Sequence, residues 1–322
     1  VATPPLTVPE GEATAFTFAH LSDPHLSSLE QVQIRDLLNK RVLGYLSWWF
    51  HRRAEHRPEI LAALLRDLAR TPPEHIVVTG DLTHLGLPGE FREVSEWLHR
   101  VGPPAQVTVI PGNHDAYVKT AWEHTFAWWA PYMASDAGVL PAGASAVTVS
   151  FPSLRIRGPI AFIGLSTACP SAPFAAVGSL GRAQLRRLEQ ILVQLKQQNL
   201  FRVILLHHPP QPRAVKWGKR LTDSAALRSV LARHGAELVL HGHAHYPLWG
   251  QLATPHGSAP VIGVPSASAL GRKPERRARY HLYRVCRTAD GWDLQISVRG
   301  YLLSENRFIV ERESQLMLPL IL

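Results

Sequence analysis

Apolar positions along this chain follow two rhythms: short unbroken aliphatic runs, and longer stretches where they recur every three or four residues. The runs FTFAHLS, HIVVTG, VTVIPG, RVILLH and ELVLHG are rich in β-branched and aliphatic residues. Such runs fit strands buried on both faces. They predict strands over Ala15–Ser22, His75–Thr79, Val107–Ile110, Val203–Leu206 and Glu237–Leu240, with another over Ile160–Ser166. The second rhythm predicts helices over Pro58–Arg70, Glu90–Arg100, Thr120–Met133, Gly181–Gln198 and Thr222–His234. Pro58 at a helix start and basic residues near its end match the macrodipole preference. Strands alternating with helices imply an α/β fold, here as two βα halves packed face to face. The later strand-like stretches VIGVPS, YHLYRVC and LQISVRGY add β structure at the sheet edges.

Two regions depart from this alternation. Residues 1–14, rich in Pro, Thr and Gly, read as a loose arm before a single domain over 15–322, and residues 134–158 read as a loop with one edge strand. Residues 27–57 form a helical insertion in which Ile34, Leu38, Val42, Tyr45 and Trp49 make one face. Lys40 and Arg41 precede its most apolar part, VLGYLSWWF, and Arg52, Arg53 and Arg57 follow it. It reads as a helix pair packed on the domain, or as an amphipathic lid or membrane-interface element near the mouth of any site. His51 and His56 read as solvated residues rather than ligands. In Thr120–Met133 a stripe of Trp122, Phe126, Trp129 and Met133 reads as core.

Each aliphatic run ends in polar residues suited to chemistry: Asp23-Pro24-His25, Gly80-Asp81, Gly112-Asn113-His114-Asp115, His207-His208-Pro209 and Gly242-His243-Ala244-His245. Strand tips are where layered α/β folds carry their sites. Seven side chains emerge as candidate metal ligands: Asp23, His25, Asp81, Asn113, His207, His243 and His245. Oxygen and imidazole donors without thiolate suit Mn, Fe, Zn or Co. Seven donors exceed the needs of one ion. Two divalent ions about 3.5 to 4 Å apart, sharing one carboxylate, use them well, and that is the two-metal arrangement for displacement at phosphorus.

The order D-x-H, G-D, G-N-H-D, H-x-P, G-H-x-H resembles the calcineurin-like metallophosphoesterase superfamily, and the resemblance runs from Phe16 to about Ala269. It implies a four-layer α/β/β/α sandwich of two mixed sheets. It also implies Asp23, His25, Asp81 and His245 around the first ion, and Asp81, Asn113, His207 and His243 around the second, with Asp81 bridging. Mn or Fe is favoured. By the same resemblance His114 is not a ligand but contacts a phosphate oxygen or the leaving group, with Asp115 as a carboxylate that could orient it. His84 and His241 are assigned structural roles, and His207 rather than His208 is the ligand. Pro24 replaces the aliphatic residue often found between the first two ligands and should stiffen that turn.

Charge narrows the partner. With 34 basic against 25 acidic residues, the chain carries +9 and favours an anionic substrate. The basic loop of Arg213, Lys216, Lys219 and Arg220 could hold a distal phosphate. The implied reaction is phosphodiester hydrolysis, on a cyclic nucleotide or glycerophosphodiester. The alternative substrate is a lipid-linked UDP-diacylglucosamine pyrophosphate, as in a related branch that often has arginine at the position of His114. A non-catalytic scaffold on the same fold is a third reading. An anionic membrane surface is a candidate partner through residues 40–57; nucleic acid is disfavoured because aromatics are not interleaved with the basic residues. Cys169 and Cys286 are too few for a disulfide framework. No run is long enough to span a membrane, so the expected location is cytoplasmic, peripheral at most to the inner membrane face.

Overall fold

The computed structural model describes residues 15–26, 29, 32–136 and 149–320. The expected N-terminal arm and most of the 134–158 loop lie outside them. In chain order the elements are β1 (Phe16–Leu21), α1 (Arg41–Ser47), α2 (Pro58–Arg70), β2 (His75–Val78), α3 (Pro88–Val101), β3 (Val107–Val109), α4 (Ala130–Met133), β4 (Ser153–Arg157) and β5 (Ile160–Gly164). The second half continues with α5 (Gly181–Leu195), β6 (Phe201–Leu205), α6 (Ser224–His234), β7 (Leu238–His241), β8 (Leu248–Thr254), β9 (Gly257–Gly263), β10 (Arg279–Arg287), β11 (Gly291–Leu302) and β12 (Arg307–Pro319).

These strands form two mixed sheets of six, ordered β12-β11-β10-β1-β2-β3 and β4-β5-β6-β7-β9-β8. The middle strands are parallel; β10, β11 and β12 extend the first sheet antiparallel, while in the second β9 joins β7 in parallel and the edges β4 and β8 run antiparallel. The side-chain period of two explains why the central runs are apolar throughout. Along β1, Phe16 and Phe18 enter the layer between the sheets, while Ala19 and Leu21 face α2 and α3. Along β6, Val203 and Leu205 enter the inter-sheet layer, while Ile204 faces α5 and α6. Phe18 meets Phe162 edge-on across the interface, their ring centroids 5.2 Å apart. The result is the expected four-layer α/β/β/α sandwich.

Two expected elements differ. The helix over Thr120–Met133 is broken into 3-10 turns at Trp122–His124 and Phe126–Trp129, followed by the short α4. Pro131 accounts for this, because inside a longer helix it could neither donate to residue 127 nor clear its carbonyl. Of the stripe, Trp129 and Met133 are buried, but Trp122 is 43% exposed. The insertion is a 3-10 turn at Ile34–Leu37, then α1, then a π-helical turn at Trp48–Arg52 closed by Arg53 N–H on the Trp48 carbonyl.

The face that the insertion buries is also one residue out of phase with the expected one. Leu38, Val42 and Trp49 are exposed, whereas Arg41, Gly44, Trp48 and His56 are buried. A Cβ on Gly44 would approach Leu85 Cδ2 to 2.5 Å, so only glycine lets α1 lie this close to the loop after β2. Arg41 secures the contact by donating to the carbonyls of Leu85 at 3.0 Å and Gly86 at 2.6 Å. Arg41 takes an inward position there because the loop carbonyls beneath need a donor. Among the described residues no helix is long and apolar enough to cross a membrane.

Candidate metal centre

The parallel strands β1, β2 and β3 of one sheet and β6 and β7 of the other end at the same edge, and every motif follows one of these ends. Backbone hydrogen bonds then fasten the loops together. Asp23 N–H donates to Gly80 O at 2.9 Å and Gly242 N–H to His207 O at 3.1 Å. Five of the seven expected ligands, Asp23, His25, Asp81, His243 and His245, have positive φ between 43° and 67°. Such conformations are costly for side chains of this kind and tend to persist at functional sites. Gly112 is required here for a different reason: a Cβ would run into the Asp81 carboxylate.

The structure brings six of the seven expected ligands into two groups that share Asp81. Asp23, His25, Asp81 and His245 offer donor atoms within 4.8 Å of one another, and so do Asp81, His207 and His243. Each carboxylate is held by one oxygen and presents the other. Asp23 Oδ2 accepts the His243 N–H at 3.0 Å, while Oδ1 lies 3.0 Å from His245 Nε2. Asp81 Oδ1 accepts the His114 N–H at 2.7 Å, while Oδ2 lies 3.2 Å from His207 Nε2.

The imidazoles are fixed in the same manner. His25 Nδ1 donates to Thr83 O at 2.9 Å, His207 Nδ1 to Thr79 O at 2.7 Å, and His243 Nε2 to Lys219 O at 2.9 Å. A ring N–H committed to a carbonyl turns the other nitrogen's lone pair toward the centre, as metal-ligating histidines require. His25 Nε2, His207 Nε2, Asp23 Oδ1 and Asn113 Oδ1 are buried without a hydrogen-bond partner. Leaving such atoms unpaired is expensive. Their convergence fits divalent cations.

Electrostatics agree. Burial, then neighbouring histidines, hold His25 and His243 well below the ordinary imidazole range, so both are neutral donors. His207 differs. Burial would lower it, but the Asp81 and Asp23 carboxylates outweigh that and push it up to about 9. A proton is therefore the competitor that a cation must displace there.

The neighbouring residues divide clearly. His208 engages Thr167 Oγ1 through Nδ1 at 2.8 Å and Ala176 O through Nε2 at 3.1 Å, leaving neither nitrogen for a cation. His241 is buried outside both groups. His84 supplies its carbonyl to His114 Nδ1 at 2.6 Å. Asp115 does not orient His114. Its Oδ1 accepts N–H groups of Leu82 and Thr83, its Oδ2 that of Gly112, so it ties the loops after β2 and β3 together.

Two residues assigned elsewhere from sequence lie in the site. His56, expected to be solvated, is buried, with its ring centroid 4.4 Å from that of His25, and His25, His56 and His245 form a further group of donors. The side chain of His51 lies outside the described residues. Arg52, which one of the two readings of the insertion set beside anionic lipid, turns inward. Its Nη1 is 3.0 Å from Nε2 and 3.3 Å from Nδ1 of His114. Near-equal approach to two nitrogens of one ring sets Nη1 against the imidazole with its N–H directed at the ring. Burial and this charge push His114 down to about 4, so its ring is neutral. The spacing 48, 52, 56 would have found both residues, since positions four apart share a helical face.

Comparison with known proteins agrees with this geometry. Residues 16–247 match the family described as calcineurin-like phosphoesterase. A protein of Synechococcus sp. named a probable cyclic nucleotide phosphodiesterase is 24% identical over 221 residues, covering 66% of this chain and 72% of its own. Among solved structures, a dimetal phosphatase from Danio rerio superposes with a TM-score of 0.58 at 16% identity, covering 94% of this chain and 98% of that one. Purple acid phosphatase PPD1 from yellow lupin (Lupinus luteus) seeds gives 0.56 at 10% identity, covering 95% and 54%. At these identities the two structures bear on the fold.

Proposed function

Since the chain belongs to the calcineurin-like phosphoesterase family, we propose that it is a phosphodiesterase working with two divalent ions. Asp23, His25, Asp81 and His245 would hold one ion, and Asp81, Asn113, His207 and His243 the other. The observation carrying this reading is the pair of donor groups that meet at one buried carboxylate, Asp81. Ions there supply Lewis acidity toward a phosphate and acidify water. The chain's own part is to hold both groups on fastened loops and to keep His25 and His243 as neutral donors, while at His207 an ion would take the place of a proton. His114 borders the centre as a neutral ring. The metals we favour are Mn and Fe, and the substrate class a cyclic nucleotide or glycerophosphodiester, as the name of the Synechococcus relative suggests.

A second reading, a lipid-linked pyrophosphate, is favoured by one observation. Leu38, Trp49, Phe50, Phe174 and Trp217 are all exposed, Phe174 at 93%. The Lys40 ammonium on Ser171 O at 2.7 Å and Ala176 N–H on Gly218 O at 2.8 Å join the three segments that carry them. An amphipathic rim of this kind suits an acyl chain or an anionic bilayer.

The test is metal analysis of the purified protein, followed by Mn-supplemented assays on bis(p-nitrophenyl) phosphate, a cyclic nucleotide, a glycerophosphodiester and a UDP-lipid. Turnover of the first three supports the diesterase. Turnover of the UDP-lipid alone supports the second reading. Neither metal nor turnover would leave a scaffold. Liposome sedimentation of a Trp49→Ser, Phe50→Ser variant tests the rim; Trp48 is left intact because it is buried.

A further inference from the structure

We propose that Arg52, carried into the centre by the insertion, binds the phosphoryl group of the substrate through a non-bridging oxygen and is oriented for this by the contact of its Nη1 with His114. This rests on the phosphoester reading above. Arg52 is half-buried at the end of the π-helical turn, on the face that also presents Trp48 and His56. Trp48 packs with Leu29, Leu85 and Leu87 and edge-on to His84, so the turn is anchored one step before the arginine. One step after it, Arg57 N–H bonds to Ser268 O at 3.0 Å, and Leu270 N–H bonds to Glu55 O at 2.8 Å. The guanidinium thus projects from a segment clamped on both sides.

No ion pair joins a carboxylate to Arg52 among the described residues, and burial lowers its pKa despite the opposing pull of the Asp81 charge. A guanidinium carries five N–H donors. With Nη1 engaged by His114, the guanidinium still carries N–H donors on Nε and Nη2 in the same plane for another acceptor. A cation in a half-buried pocket without a carboxylate partner is destabilised until an anion arrives. An anion at the shared Asp81 carboxylate would have to be brought there by metal, and a phosphoryl group is such a ligand. Planar donors and tetrahedral oxygens match geometrically.

The experiment uses the metal-loaded full chain and reads orthovanadate and inorganic phosphate affinity by calorimetry, alongside kcat and KM on bis(p-nitrophenyl) phosphate. Arg52→Gln is expected to keep its metal content and near-UV circular dichroism. It should bind vanadate about 10- to 100-fold more weakly, the worth of a charged hydrogen bond. Arg52→Lys should recover part of that loss, and Arg52→Ala should regain activity when millimolar guanidinium is added, which a merely structural role would not permit. If wild type is active and Arg52→Gln matches it in vanadate affinity and kcat/KM, the role of Arg52 is overturned. Loss without guanidinium rescue, or with loss of metal, also overturns it. A wild type that neither turns over the diester nor binds vanadate overturns the phosphoester reading first and this inference with it.

Discussion

Asp81 carries more of the centre than any other side chain. It is common to both donor groups and also receives the His114 N–H. Asp81→Asn keeps the shape and the hydrogen bond but removes the charge shared by both positions. On the two-ion proposal, metal content should fall from two ions toward one, and kcat/KM should drop by about 10²–10³-fold, the scale on which one preorganised electrostatic group acts. Elemental analysis with steady-state kinetics checks both. Histidines away from the centre have another consequence. Burial, followed by nearby arginines, lowers His75 to about 3, and burial with Arg279 lowers His281 to about 3. The folded state refuses protons that the unfolded chain, with imidazoles near 6.5, accepts. Stability should therefore fall as pH drops from about 6.5 toward 3, by about 1.4 kcal/mol per pH unit for each ring. Urea midpoints at pH 7 and pH 5 measure the slope, which should be shallower in His75→Gln.

At the scale of elements, the insertion is a fixed wall. Arg41 on the loop carbonyls, Trp48 in its own small apolar cluster and the Arg57 bond to Ser268 hold it at separate points. A segment clamped in this way lines a site more readily than it swings over one. Gly44 is its closest approach to the domain. Gly44→Val would drive methyl groups into Leu85 and the Tyr117 hydroxyl, costing about 1–3 kcal/mol of packing strain. The strain falls between α1 and the side chains of Leu85 and Tyr117, beyond the ligands Asp81 and Asn113 on the same loops, so metal content should persist while vanadate affinity falls with the displacement of Arg52. Calorimetry on the metal-loaded variant checks it.

For the whole molecule, the layer between the sheets decides whether a centre exists at all, since its ligands come from both. Thr79, after β2, accepts from His207, after β6, and this bond crosses from one sheet to the other. Phe162 is fully buried between Phe18 and the ring of His75. Phe162→Ala should cost about 3–5 kcal/mol. It should also weaken metal binding by loosening the facing of the two strand ends. Thermal unfolding with and without Mn separates these effects: added metal should raise the melting temperature less in the variant than in wild type.

The order of strands and helices, the five polar motifs and the seven donors could be read along the chain. A buried strand needs consecutive apolar residues and a ligand must sit where that run stops, and both are local properties. The burial phase of the insertion was not local. Gly44, Trp48, Arg52 and His56 face inward because Leu85 and Tyr117, a small leucine cluster, His114 and the Ser268 hydroxyl receive them on the domain, and that surface is made largely by residues far along the chain. Asp115 likewise reads as a partner for its neighbour His114, yet its oxygens go to N–H groups of Gly112, Leu82 and Thr83, two of them from a different strand end. Composition and spacing determined which chemistry this protein can hold. Tertiary structure alone decided which cation stands beside it, because a charge accepts whichever unsatisfied partner the fold brings within reach.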